Sequence, residues 1–253
     1  MTAPMANGLP DSIIAHRGGA RYAPENTLTA FQTAAAQGVH WVETDVCLLG
    51  DGTPVLFHDA DFQRLAGVAD RVRRSDWETV RQLDVGAGWG SGFRGTPVPR
   101  LEAALAEIAR LGLGLNLELK VHAGEQAELV DAVVAALDRQ RFNPGQLLIS
   151  SFDRESLRRI RDRRPGLALS CLCGAVPDDW RAVAQGLDLV GFNADYRCVS
   201  PATIATLVDA GIQTRVYTPN RADAVAMLWP AGLSGVITDD VHAFQPDASQ
   251  PAD

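Results

Sequence analysis

Leu113-Gly114-Leu115-Asn116-Leu117-Glu118-Leu119-Lys120 places a leucine at every second position for eight residues. Successive side chains of a β-strand point to opposite faces, so the four leucines share one face and Asn116, Glu118 and Lys120 the other. Helix-like, amphipathic segments flank the run, near 100–110 and 124–140. A strand held between two helices is the repeating unit of a parallel sheet.

The same alternation extends in both directions. Further strands are expected at Ser12–His16, Trp41–Cys47, Leu147–Ser150, Ala168–Leu172, Leu187–Asn193, Gln213–Tyr217 and Gly235–Thr238. Helices are expected near 26–37, 153–163, 178–185, 201–210 and 221–229. Eight strands with crossover helices point to an α/β fold, a (β/α)8 TIM barrel, with a doubly wound sheet as the alternative. Neither phosphate loop, G-x-G-x-x-G nor G-x-x-x-x-G-K-[ST], is present, which favours the barrel. A chain of 253 residues suits one barrel, so residues 1–253 read as a single catalytic domain.

The pattern breaks between Leu48 and Pro99, about fifty residues separating the second strand from the second helix. This insertion starts with an expected hairpin, a Gly50-Asp51-Gly52 turn followed by Pro54–His58. After the eighth strand only about fifteen residues remain, so the last barrel helix must be short or absent.

Composition narrows the function. Hydrophobic residues make up 46% and charged residues 21%, as in globular proteins. Lys and Arg number 23 against 31 Asp and Glu, a net charge of −8, which argues against nucleic acid or an anionic membrane surface as partner. No apolar run is long enough to anchor the chain in a membrane, and MTAPMANGLPDS lacks the features of a secretory signal, so a cytoplasmic location is expected. Four scattered cysteines, including a C-x-C at Cys171 and Cys173, suggest neither a disulfide framework nor a zinc site.

In a (β/α)8 barrel, chemistry collects at the C-terminal ends of the strands. There the sequence places His16-Arg17-Gly18 after strand one, Glu43 and Asp45 on one face of strand two, and Glu118 and Lys120 on strand three. Charge facing a barrel interior costs several kcal/mol unless it is paired or bound to metal. Three carboxylates, Glu43, Asp45 and Glu118, suit one hard divalent cation, Mg2+ or Ca2+. Taken singly, each residue also suits a bland role. Glu43 and Asp45 could line a solvated face, His16 could be structural, His58-Asp59 a turn, Arg17 a surface cation, and Lys120 a partner for Glu118.

Taken in order, His16-Arg17-Gly18, Pro24-Glu25-Asn26-Thr27, Glu43-Thr44-Asp45, His58-Asp59 and Glu118-Leu119-Lys120 resemble the glycerophosphodiester phosphodiesterase family, most of all its small cytoplasmic bacterial members. The resemblance runs from Ile13 to Asp239 and includes Ser150-Ser151-Phe152, Val216-Tyr217-Thr218 and Ile237-Thr238-Asp239. It implies the barrel with its insertion and a divalent metal on Glu43, Asp45 and Glu118. It also implies His16 and His58 as an acid/base pair, and Arg17 and Lys120 as the phosphate-holding cations. Pro24-Glu25-Asn26-Thr27 reads physically as a helix start capped by Asn26 or Thr27, with Glu25 and Asn26 near enough in sequence to orient His16.

The activity implied is metal-dependent hydrolysis of a small soluble glycerophosphodiester to an alcohol and glycerol 3-phosphate. A non-catalytic barrel binding the same ligands, and a barrel phosphodiesterase acting on intact phospholipid, stand as alternatives. The sequence says nothing of the oligomeric state.

Overall fold

The computed structural model describes residues 13–245. The expected leader-free N-terminus, residue 12 of the first expected strand, and the Pro/Asp/Ser tail lie outside the described residues. Nine strands form one sheet: β1 (Ile13–Ala15), β2 (Trp41–Leu48), β3 (Pro54–Leu56), β4 (Gly114–Leu119), β5 (Leu147–Ser151), β6 (Ala168–Cys173), β7 (Gly191–Asp195), β8 (Gln213–Tyr217) and β9 (Gly235–Thr238). Eight of them pair in parallel in the order β1-β9-β8-β7-β6-β5-β4-β2, and β1 pairs back onto β2, closing the barrel. The helices between strands are α1 (Leu28–Ala36), α4 (Leu101–Arg110), α5 (Gln126–Gln140), α6 (Arg154–Arg163), α7 (Trp180–Leu187) and α8 (Pro201–Asp209), with α2 (Gln63–Ala66) and α3 (Trp77–Val80) in the insertion. No helix among the described residues is long and apolar enough to cross a membrane.

Alternation along the strands divides the barrel into two environments. Val42, Val46, Leu115, Leu117, Leu119, Ile149 and Leu169 belong to the apolar layer packed between sheet and helices. Truncating any one of these leucines to alanine costs about 2–5 kcal/mol. The intervening residues face the interior, and many are polar yet buried: Glu43, Asp45, Asn116, Glu118, Ser150, Ser170 and Asn193. At the start of β2, the Trp41 ring lies so near Gly114 that a Cβ there would come within 2.2 Å of it.

β2 outruns β1, and this creates the insertion. Trp41 and Val42 pair with β1, whereas Val46–Leu48 pair antiparallel with β3, through the expected hairpin. The segment then builds its own small core from Cys47, Leu49, Val55, Phe57, Phe62, Val72, Val80, Val85 and Val98. Its chain returns where Val55 bridges Arg100, just before α4. The Phe57 N–H donates to the Asp45 carbonyl (3.1 Å), which fixes the following residue, His58, beside the barrel mouth.

Two expectations are corrected. The run Leu187–Asn193 is strand only from Gly191: Leu187 ends α7, Asp188 turns the chain at φ 49°, and Leu187 and Leu189 are buried in the apolar layer without joining the sheet. The helix expected near 221–229 is two short 3-10 turns, Ala222–Val225 and Trp229–Ala231, the second containing Pro230, which lacks the N–H a longer helix needs. At the start of α1, Thr27 is the cap, accepting from the Ala30 N–H at 3.2 Å, and Asn26 is used elsewhere.

Candidate active site

All seven sequence-derived candidates come together at the C-terminal mouth of the barrel. His16, Arg17, Glu43, His58, Glu118 and Lys120 line one cavity of about 190 Å3 with Asn116, Phe152, Leu172, Tyr217, Thr218 and Ile237. Asp45 lies beneath, bound to Arg17 and Lys120.

The turn after β1 is built for close approach. Gly18 has φ +82°, and a Cβ there would sit 2.6 Å from the Ala30 Cβ of α1. Arg17 itself takes the left-handed conformation (φ 51°), which turns its N–H onto Glu43 Oε2 at 2.9 Å. Its guanidinium reaches Glu25 Oε1 (2.7 Å) and Asp45 Oδ2 (3.2 Å). Asn26, buried at φ 58°, donates to Asp45 Oδ2 (2.9 Å) and accepts from Thr44 Oγ1 (2.6 Å) and the Asp45 N–H (3.1 Å). Glu25 and Asn26 therefore orient Arg17 and Asp45, and the expectation that they orient His16 is corrected. The residue on His16 is Asp239 at the end of β9, with Nδ1 to Oδ1 at 2.6 Å, and Asn220 holds the other Asp239 oxygen at 2.9 Å.

Both histidines are held in the same way. His58 Nδ1 lies 2.7 Å from Asp59 Oδ1. The carboxyls of Asp59 and Asp239 are lowered from their ordinary value, because their hydrogen-bonding partners outweigh the upward push of burial. An ionised carboxylate only accepts, so each Nδ1 carries the proton. In a neutral ring Nε2 then keeps the lone pair. His16 Nε2 lies 3.9 Å from Glu43 Oε2. Burial, the largest influence, lowers the His58 pKa below its ordinary 6.5 against the attraction of Asp45.

Glu43, Asp45 and Glu118 each offer an oxygen within 4.8 Å of the others, and they are only 2%, 1% and 8% exposed. Glu43 Oε1 is buried without a hydrogen bond, while Asp45 Oδ1 and Glu118 Oε1 meet the Lys120 ammonium at 3.3 and 2.6 Å. Burial first, then repulsion from Asp45 and Glu118, pushes Glu43 well above the ordinary carboxylate range. Burial and then Asp45 raise Glu118 to about 7. Asp45 goes the other way: Lys120, Arg17 and His58 outweigh its burial and keep it ionised. Three convergent carboxylates with an unpaired buried oxygen are a donor set suited to a divalent cation, which would relieve that repulsion.

Across the cavity stand apolar groups. Phe152, 53% exposed, packs edge-on against Tyr217 (centroids 6.1 Å apart) with the Lys120 ammonium 5.9 Å from its ring centre. Sequence reasoning missed Asn220 behind Asp239 and, on the other side of the site, Arg64 of α2. Arg64 donates to Asp59 and Glu25 from the exposed side of a four-residue helix whose Leu65 and Ala66 pack on the insertion's core, too short a segment to carry a pattern.

Comparison with known proteins agrees with this geometry. The model of the glycerophosphoryl diester phosphodiesterase family matches residues 16–243. A glycerophosphodiester phosphodiesterase of Caldanaerobacter subterraneus is 29% identical over 230 residues, covering 90% of this chain and 93% of its own. Among solved structures, an Oleispira antarctica phosphodiesterase in complex with its product sn-glycerol-3-phosphate superposes with a TM-score of 0.88 at 32% identity, covering 91% of this chain and 93% of that one. A protein of Silicibacter pomeroyi described as a glycerophosphoryl diester phosphodiesterase gives 0.81 at 28% identity, covering 92% and 91%. The match begins at the histidine that opens the site and spans every candidate residue; the chain belongs to the glycerophosphoryl diester phosphodiesterase family.

Proposed function

We propose that this chain hydrolyses small soluble glycerophosphodiesters to glycerol 3-phosphate and an alcohol, with His16 and His58 as the proton-transfer pair. The observation that carries the reading is that both imidazoles line one cavity with Nδ1 tied to a carboxylate, above three converging carboxylates. The reaction makes a bond from the attacking oxygen to phosphorus and breaks the bond to the leaving alcohol. The attacker is water, or the neighbouring glycerol hydroxyl by way of a cyclic phosphate. One Nε2 takes the proton of the attacking oxygen, and the other, protonated, gives its proton to the departing alkoxide. Asp59 and Asp239 hold the rings in place. Arg17 and Lys120 bind the phosphoryl oxygens, whose charge increases in the transition state.

Glu43, Asp45 and Glu118 would hold one divalent cation, for which Mg2+ and Ca2+ are the candidates on their all-oxygen donors. When bound, it supplies charge neutralisation to the phosphoryl group. The barrel supplies His16 and the carboxylates and the insertion supplies His58, so the two would act as one catalytic unit. A net charge of −8 disfavours docking on an anionic membrane surface and favours a deacylated substrate.

Turnover of a panel of glycerophosphodiesters, with EDTA and with each metal restored, tests the reading. Release of glycerol 3-phosphate that EDTA abolishes and Mg2+ or Ca2+ restores is expected. Full activity in chelator, or preference for intact phospholipid in liposomes, would overturn it.

A further inference from the structure

Arg64 joins the two halves of the site. Its Nε donates to Asp59 Oδ2 at 2.7 Å, while Nη1 and Nη2 donate side by side to Glu25 Oε2 and Oε1 at 2.7 and 2.8 Å. Asp59 turns its other oxygen to His58 Nδ1, and Glu25 Oε1 also receives Arg17 Nη1. One guanidinium on the insertion thus fixes the carboxylate behind a histidine and the carboxylate behind a phosphate-facing arginine. A planar fork can satisfy both directions at once, which a lysine ammonium cannot do with the same geometry.

The arrangement is poorly explained as packing. Arg64 is 46% exposed and stands on a four-residue helix with no buried residue, whereas Glu25 is 6% exposed. Removing Arg64 leaves Glu25 paired with Arg17, so no buried charge is orphaned. Asp59 would lose its only restraint besides His58 among the hydrogen bonds found for its side chain. It is then free to rotate, and the ring it holds loses a fixed acceptor.

We propose that Arg64 is a positioning residue, acting on His58 through Asp59. The inference rests on His58 being a proton-transfer group. It predicts a kcat effect transmitted through His58, from a residue that does not line the cavity.

The test is a double-mutant cycle on the full chain with glycerophosphocholine and saturating metal, using Arg64→Met, His58→Ala and the pair. Arg64→Met alone should lower kcat by roughly 10–100-fold, the usual cost of removing a partner behind a functional group. Added to His58→Ala it should lower kcat by less than about threefold, because the path it acts through is already gone. Arg64→Lys should recover part of the loss, and it repeats the cycle if Arg64→Met does not fold. Equal losses in both backgrounds, or an Arg64→Met kcat within about twofold of wild type, would overturn the Arg64 inference alone. If His58→Ala itself keeps more than about a tenth of kcat, the proton-transfer reading falls and the Arg64 link with it.

Discussion

Glu118→Gln should make the metal-free protein more stable at neutral pH, although it removes a group placed in the metal site. Glu118 is 8% exposed, and burial together with Asp45 raises its pKa from an ordinary 4.5 to about 7. At about 1.4 kcal/mol per unit this amounts to about 3 kcal/mol. The folded state binds this proton more tightly than the unfolded state. The stabilising effect is therefore complete below pH 4.5 and is lost as pH rises through about 7. Glutamine does not titrate, and Lys120 keeps Asp45 as a partner at 3.3 Å. Urea unfolding in EDTA from pH 4.5 to 8 should show the variant gaining about 3 kcal/mol on wild type across that range. Saturating Mg2+ or Ca2+ should stabilise wild type far more than the variant, whose donor set is incomplete. Parallel stability–pH profiles for the two proteins in EDTA would refute the view that carboxylate repulsion, relieved by metal, governs this mouth.

Three other outcomes follow from the same geometry. His16→Ala and His58→Ala should each lower kcat by roughly 10²–10⁴-fold with much smaller KM changes, and non-additively when combined, as steady-state kinetics will show. Lys120→Met should cost about 3 kcal/mol of transition-state stabilisation and Lys120→Arg less, and rescue of Lys120→Met by excess metal would reduce Lys120 to a partner of the carboxylates. Gly18→Ala should lower stability by about 1–3 kcal/mol in thermal unfolding, because a Cβ at φ +82° would lie 2.6 Å from Ala30 Cβ; an unchanged Tm would show that the turn can move.

The strands and most helices were legible because side-chain alternation is a local property: Leu113–Lys120 declares its two faces without reference to anything distant. The charged residues were legible for a related reason. Glu43, Asp45 and Glu118 stand where an apolar interior was expected, and burying charge is costly enough to mark a site. Apolar runs at element ends were less readable. Leu187 and Leu189 look like strand but serve the end of a helix and the loop behind it, since burial in the layer rewards either conformation.

What the chain by itself determined is thus the barrel, the insertion and the three interior carboxylates, carried by periodicity and by charge set against it. The histidines and cations stood out only through the resemblance of their motifs taken in order. The tertiary structure alone decided how those side chains are held. Asp239 meets His16 across 223 positions, Arg64 meets Glu25 across 39, and Glu25 and Asn26 turn to Arg17 and Asp45 instead of His16. Such pairings depend on ångström distances between loops brought together only when β1 closes on β2 and β9, and no local pattern in the sequence encodes a distance of that kind.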